Sequence, residues 1–282
     1  MQQISLIDET FNLLNSEHYK ITLQILFDSF SFTIFDSVRK KHILLNHYQL
    51  ENSENFNDVL KPLISDNEIL KSNFDDFRIF VFTNNIVIIP SSFSNQDKNN
   101  DYANFNFNEN NSKSFFCKSS FDTIINYSVS NEINDLLATI KYKTLYPHAI
   151  SILKEAQIAS LQKNIVNSLF VCVLHQFIEV VAIKNNELQL FNVFQYQNDD
   201  DFCYYLNYLF ELFKFDKEKV PIIFSGITKK NDSRISKAEQ FFKKMQYSKS
   251  STQYIYSYRF NEIPQHHFSN LFIIAYEDNK RY

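Results

Sequence analysis

The most restrictive feature of this 282-residue chain is that it contains a single glycine, Gly226. At the average usage of about 7%, a soluble protein of this length would carry about 20 glycines. Loops that bind phosphate depend on glycine, because a residue without a side chain lets backbone N–H groups reach the anion and adopts positive φ easily. The sequence therefore excludes Walker loops, dinucleotide-binding GxGxxG turns and the glycine-rich loop of protein kinases.

Tight turns in this chain must be built from residues other than glycine. Asn84-Asn85 and Asn185-Asn186 each lie between two apolar runs. Asparagine is the next most favourable residue for left-handed backbone positions. Both pairs therefore predict hairpin turns.

Composition and charge exclude several classes of protein. A chain of 33.5 kDa with 30 Phe and 16 Tyr predicts one large domain or two lobes with an aromatic core. The net charge of −4 leaves no electrostatic footprint for nucleic acid. The longest apolar runs, Leu169–Leu174 and Leu271–Tyr276, are too short to span a bilayer, and no signal peptide is visible. The three cysteines, Cys117, Cys172 and Cys203, read as buried thiols of a cytoplasmic protein.

Two stretches of the chain show the same order of predicted elements. The first stretch has three predicted strands, at Ile21–Phe27, Phe30–Phe35 and Ile43–Tyr48. They are followed by a predicted helix and then by a fourth strand at Phe77–Phe82. The helix carries Phe56, Val59, Leu60, Leu63 and Ile64 on one face. The second follows about 147 residues later, at Leu169–Leu174, Phe177–Ile183, Leu188–Phe194, a helix with Phe202, Leu206, Leu209, Phe210 and Phe213 on its inner face, and Val220–Phe224. Three antiparallel strands, a crossover helix and a parallel fourth strand, present twice, indicate an internal duplication.

This duplicated unit resembles the actin-like superfamily, which includes actin, sugar kinases and heat-shock chaperones. Particular phrases are similar to an uncharacterised Bacteroidetes family with this fold, a domain of unknown function: Ile7–Phe11, Phe30–Ile34, Ile89–Phe93, Tyr102–Asn106 and His266–Leu271. The resemblance implies an α/β fold with a duplicated ribonuclease-H-like, actin-like ATPase architecture of two lobes and mixed five-stranded sheets flanked by helices. We expect a first lobe at residues 1–165, with an accessory subdomain inserted at about residues 85–130, and a second lobe at residues 166–282.

The resemblance also implies where a nucleotide would bind. Actin-like ATPases hold the phosphates in the turn between the first two strands of each lobe, with the pattern Asp-x-Gly followed by a polar residue. The matching positions are Asp28, Ser29, Phe30 and Ser31 in the first lobe and His175, Gln176 and Phe177 in the second. Phenylalanine replaces glycine in both turns, and the second turn also lacks the carboxylate. We therefore expect both phosphate turns to be vestigial.

The adenosine-side turn of such proteins is usually a Gly-Gly pair after the fourth strand of the second lobe, and here it is Ser225-Gly226. Gly226 either supplies a positive-φ turn between strand and helix or keeps a residual ligand contact. Asp28 is likewise either an ordinary turn former or a remnant of a magnesium site.

Other polar clusters have simpler interpretations. The run Asp199–Asp201 is typical of a helix N-terminus. The adjacent His266 and His267 cannot share one face of a strand and have no Cys or acidic residue at metal-ligand spacing, so we expect no metal site. No serine or cysteine has the context of a catalytic nucleophile, and we expect neither a catalytic residue nor a cofactor.

These observations favour a non-catalytic actin-like scaffold that binds an unidentified protein partner or forms a homodimer. The alternative is a divergent actin-like ATPase or kinase that still binds a nucleotide through Asp28 and Gly226. A predicted last helix begins near Pro264 and carries one apolar stripe, formed by Phe268, Leu271, Phe272 and Ala275. That stripe either packs in the core of the second lobe or is an exposed docking helix.

Overall fold

The structure is a computed structural model that describes residues 2–50, 56–94, 102, 111–163, 165–228 and 231–273. These residues form two compact units. The first unit contains the chain up to Ile150 together with Thr252–Glu262, and the second contains Ser151–Ser251 together with Ile263–Ile273. Among the described residues, no helix is long and apolar enough to cross a membrane.

The first unit is built on a seven-stranded sheet with the order β1-β4-β3-β2-β5-β9, in which β15 also pairs with β4. The strands are β1 Gln2–Ile7, β2 Tyr19–Ile25, β3 Ser29–Asp36, β4 Lys41–Gln49, β5 Asp76–Val81, β9 Thr144–Pro147 and β15 Ile255–Tyr256. β2 runs parallel to β5, and β5 runs parallel to β9. Two helices, α1 Phe56–Ser65 and α2 Glu68–Lys71, connect β4 to β5.

The second unit is built on a five-stranded sheet with the order β12-β11-β10-β13-β14. Its strands are β10 Ser168–Val173, β11 Phe177–Lys184, β12 Glu187–Gln195, β13 Ile222–Gly226 and β14 Met245–Tyr247. The helices of this part of the chain are α4 Ala149–Lys163, α5 Asp199–Phe213, α6 Ser233–Ala238 and α7 Ser269–Ile273. β10 pairs antiparallel with β11 and parallel with β13.

Both sheets follow the same path, because each places its third, second, first, fourth and fifth ribonuclease-H-like strands side by side. Both also carry a β-bulge at the same point of the third strand. The extra residue is Ile43 of β4 in the first sheet and Gln189 of β12 in the second. The duplicated actin-like architecture predicted from the sequence is confirmed. The first sheet has two strands more than the expected five, since β1 and β15 add to the edge formed by β4.

A separate three-stranded antiparallel sheet follows β5 in the chain. Its order is β6-β8-β7, with β6 at Ile86–Pro90, β7 at Ser112–Ser119 and β8 at Thr123–Ser130. Helix α3, Asn131–Leu137, begins where the side chain of Ser130 accepts a hydrogen bond from the backbone N–H of Ile133. The two compact units follow from the packing of the chain, whereas the expected lobes were defined by the sequence repeat. The lobe boundaries at residues 1–165 and 166–282 therefore remain a prediction.

The core of the second unit lies between its sheet and α5. The buried side chains of α5 include Phe202, Leu206, Leu209 and Phe210, as its helical spacing predicts. Its N-cap is Asn198, whose side chain accepts from the N–H of Asp201, so the run Asp199–Asp201 forms the first turn. The hairpin before α5 turns on Asn185 and Asn186, which have φ of 56° and 64°, in agreement with the predicted asparagine turn. The hairpin predicted at Asn84 and Asn85 is wrong, because neither residue has positive φ and the strands on either side, β5 and β6, belong to different sheets.

The last predicted helix begins later than expected, at Ser269. A 3-10 segment at Gln265–His267 precedes α7, and Ala275 lies outside the described residues. Phe268, Leu271 and Phe272 are all buried. This segment therefore packs in a core, and the docking-helix interpretation is wrong.

Candidate functional site

The first predicted phosphate turn lies between β2 and β3 and spans Leu26 to Ser29, with Phe27 and Asp28 at its two central positions. The N–H of Leu26 donates to the carbonyl of Ser29 at 2.9 Å, which closes the turn. The Asp28 carboxylate accepts a hydrogen bond from Gln49 Nε2 at 2.8 Å, and the Asp28 carbonyl accepts from the N–H of Leu50 at 2.9 Å. Asp28 is therefore held against the end of β4, as expected of a turn-forming aspartate.

The second predicted turn is bonded in the same way. The N–H of Leu174 donates to the carbonyl of Phe177 at 2.9 Å, and the N–H of Tyr196 donates to the carbonyl of Gln176 at 3.0 Å. The Tyr196 hydroxyl lies 2.7 Å from the carbonyl oxygens of both Leu174 and His175. A buried tyrosine from the end of β12 thus fixes the carbonyls of this turn. Sequence reasoning missed Tyr196, because its partners lie more than 20 residues away along the chain.

The hydrogen bonds fix how the two turns correspond. The hydrogen bond from Leu26 to Ser29 in the first turn corresponds to the hydrogen bond from Leu174 to Phe177 in the second. Ser29 is therefore the structural equivalent of Phe177. This correspondence is shifted by one residue from the sequence comparison, which paired Phe30 with Phe177. Phe30 is fully buried and its ring packs against Phe32 and Tyr48, with centroids 5.9 and 5.7 Å away. Phe30 is therefore a core residue of the first unit.

Neither phosphate turn contains a residue with positive φ. Residues 27–28 and 175–176 therefore need no glycine, because their backbone conformation is accessible to any L-amino acid. The loss of glycine at these turns does not strain the fold.

Gly226 is required by its own backbone. It ends β13 with φ of +88°, a conformation that L side chains rarely adopt. A Cβ atom at this position would lie 2.3 Å from the carbonyl oxygen of Val173, its partner on β10. The preceding Ser225 is buried. The positive φ and the close contact with Val173 are enough to explain why this position is glycine, and no ligand contact is needed to explain it.

The chain that follows Gly226 is held by two adjacent histidines. Thr228 Oγ1 lies 2.9 Å from His266 Nε2, and His267 Nε2 donates to the carbonyl of Thr228 at 2.8 Å. The ring of Tyr247 stacks on His266 with centroids 4.2 Å apart. Burial, together with the neighbouring His267, lowers the pKa of His266 to about 4, so this imidazole is neutral at pH 7. The sequence could not show this arrangement, because the contacts join residues almost 40 positions apart.

One polar row crosses the otherwise apolar sheet of the second unit. Cys172 lies between Glu179 on β11 and Ser225 on β13, and Asn270 Nδ2 donates to its sulfur at 3.0 Å. Burial and the charge of Glu179 raise the pKa of the Cys172 thiol well above its usual value. Cys172 is therefore protonated at neutral pH and is not activated as a nucleophile. Cys203 is also buried, Cys117 is half-buried, and none of the three forms a disulfide.

Comparison with solved structures supports the fold at low sequence identity. A Bacteroides thetaiotaomicron protein, described as having an actin-like ATPase fold and unknown function, is similar with a TM-score of 0.75 and 15% identity, over 85% of this chain and 94% of that chain. A type IV pilus biogenesis complex, PilM-PilN, is similar with a TM-score of 0.54 and 9% identity, over 91% of this chain and 97% of that chain.

No curated protein sequence matches the chain. Residues 8–245 match the family described as "Protein of unknown function (DUF3822)". That match covers most of the duplicated unit, including β2 to β5 and β10 to β13. With the actin-like sheets and their shared bulge, it assigns the family: the chain belongs to DUF3822, and it has an actin-like ATPase fold.

Proposed function

We propose that this protein is a non-catalytic, actin-like protein-binding module whose nucleotide site is degenerate. The observation that carries the proposal is the state of the two turns after β2 and β10. Both are two-residue turns without glycine or positive φ, and the Asp28 carboxylate and the carbonyls of Leu174 and His175 already accept hydrogen bonds from the protein. A phosphate-binding turn needs backbone N–H groups aimed at the anion, and close approach of the anion favours glycine.

The protein-binding part of the proposal rests on the similarity of this fold to the fold of a protein that is found in a complex. PilM-PilN, one of the similar structures, is a complex of two proteins. Fold similarity alone does not carry function between proteins. We also propose a cytoplasmic location and, for the sheet β6-β8-β7, the role of an accessory subdomain of the first lobe.

Calorimetric titration with Mg-ATP tests the proposal. We expect no heat of binding at physiological nucleotide concentration and no increase in thermal midpoint, since a ligand of the native state must stabilise it by mass action. Asp28→Ala and the control Asp58→Ala, an exposed residue of α1, should behave identically. Micromolar Mg-ATP binding that Asp28→Ala weakens and Asp58→Ala leaves intact would refute the proposal and support a divergent ATPase.

One observation favours a second candidate function, a site for a nucleoside without its phosphates. Tyr247 is 42% exposed and stacks on the neutral His266, close to the turn that contains Gly226. Aromatic faces of this kind bind bases by stacking. Titration with adenosine should show binding that Tyr247→Ala abolishes and Tyr258→Ala, another exposed tyrosine, leaves unchanged. Equal results for both variants would exclude this site.

A further inference from the structure

The two copies of the duplicated sheet differ at the edge formed by their third strand. In the first unit, β1 covers the outer edge of β4 with antiparallel pairs from Gln2–Gln49 to Ile7–Leu44. In the second unit the equivalent strand is β12, which pairs with β11 on its inner side. No strand within the described ranges pairs with the outer edge of β12. The fold thus shows, in its own first half, how this edge accepts an added antiparallel strand.

β12 lacks the usual protection of an open edge. From Leu188 to Gln195 it contains neither a charged residue nor a proline, and natural edge strands usually carry one or the other to prevent pairing. The N–H of Tyr196 points inward to Gln176, so alternation along the strand directs the N–H of Val193 outward. Its present acceptor, at 2.9 Å, is the side chain of the neighbouring Asn192. That side chain can rotate away when another strand arrives.

An exposed apolar stripe lies beside this edge on α5. Tyr204, Tyr208 and Leu212 occur at intervals of four residues, and their exposed fractions are 62%, 46% and 51%. Tyr205 stacks on Phe194 of β12 with centroids 4.6 Å apart, which places this flank of the helix next to the strand. The edge of β12 and the stripe are therefore adjacent. From Leu188 onward the exposed side chains of β12 are polar but uncharged: Gln189, Asn192 and Gln195.

We propose that the occupant of this surface is a second copy of the chain, related by a two-fold axis, with β12 paired antiparallel to β12 of the second copy. A two-fold interface brings identical patches together, so a patch must be self-complementary. This one is suitable because neither the stripe nor the edge from Leu188 to Gln195 carries a charge that would repel its copy. The proposal names a partner for the protein-binding half of the proposed function, and it is independent of the nucleotide turns.

The dimensions of the surface fit a dimer of moderate strength. Nine residues of β12 extend about 30 Å at the rise of a strand, and the 15 residues of α5 extend about 22 Å. Stable interfaces bury about 800 Å² per partner. The proposed dimer would have a ten-stranded sheet continuous across the two-fold axis, with α5 of each copy beside the shared edge.

Sedimentation equilibrium of the wild-type chain over a wide concentration range tests the proposal. We expect a monomer–dimer equilibrium that Tyr208→Asp/Leu212→Asp weakens about a hundredfold, because two central apolar contacts are lost and charges are buried. Leu14→Asp is the control, since Leu14 is 89% exposed and lies on the first unit. Val193→Pro is a second variant that removes an outward N–H and leaves the β11 ladder intact. It should also dissociate the dimer while its far-ultraviolet circular dichroism stays native.

A wild-type chain that stays monomeric, or a dimer that persists in both β12 and α5 variants, overturns the proposal. In the monomeric case, hydrogen exchange at Phe191 and Val193 identifies the occupant. Slow exchange would assign the edge to another segment of the same chain, and fast exchange would leave it to a different protein. Mg-ATP titration of the dissociated variant reports on the nucleotide turns separately, so failure of the dimer and failure of the proposed function are distinguishable.

Discussion

Replacing the single glycine, Gly226→Ala, should destabilise the protein strongly. The new Cβ would lie 2.3 Å from the carbonyl oxygen of Val173, which belongs to the backbone of a central strand and cannot rotate aside. Forcing φ of +88° on a residue with a side chain costs about 1–2 kcal/mol. Relieving the contact by moving strands adds about 1–3 kcal/mol, as in other overpacked cores. We expect the free energy of unfolding to fall by about 3 kcal/mol.

Urea denaturation followed by circular dichroism measures this change. The matched control is Asn186→Ala, which places alanine at φ of 64° in an exposed turn. The contact with Val173 predicts a clearly larger loss for Gly226→Ala than for this control. If Gly226→Ala destabilises the protein no more than Asn186→Ala, the glycine is not required by the fold, and a ligand contact becomes the better explanation of its presence.

Three further predictions concern buried polar groups. Tyr196→Phe removes the hydroxyl that holds the carbonyls of the second turn and should lower the unfolding free energy by about 1–3 kcal/mol, whereas Tyr204→Phe should leave it unchanged in the same urea assay. Burial lowers the pKa of His42 to about 3, so the unfolded chain binds the extra proton first. Stability should therefore fall by up to about 1.4 kcal/mol per pH unit below pH 6.5, and denaturation at pH 7 and pH 5 should show a smaller loss for His42→Phe. Burial raises the pKa of Asp8, but hydrogen bonds from Lys41, Ser257 and Thr10 lower it by more, so the pKa lies below the usual range. Asp8→Asn should cost about 3 kcal/mol, and the cost relative to wild type should shrink as the pH falls below the carboxyl pKa of the unfolded chain.

The repeated part of the fold was predictable because its strands are apolar runs bounded by polar turns. The first, second and fourth strands of each half are largely buried, so their patterns are clear in the sequence. The hairpin at Asn185 and Asn186 was also predictable, since few residues other than glycine adopt left-handed conformations readily. Burial and local backbone conformation restrict which residues can occur at a position, so both can be predicted from the sequence.

Contacts between distant segments left no such mark. β15 has two residues and pairs with β4 across more than 200 positions, so no local pattern indicates it. The contacts of His266 and His267 with Thr228 likewise depend on how the chain returns to the second unit. The one-residue shift between the two turns was missed because only their hydrogen bonds reveal which residues correspond.

The β-bulge that both halves of the chain share is evidence of their common origin, and this evidence does not depend on side-chain identity. In both halves the third strand carries one extra residue at the same place, and the hairpin between the second and third strands differs in length. Asp36 pairs with Lys41 across a longer turn, whereas Lys184 pairs with Glu187 across two asparagines. An insertion or deletion in a surface turn leaves the register on either side intact. The two halves of this chain, which differ too much to be aligned by residue type, can therefore be aligned by this backbone irregularity, counting outward from it in each half.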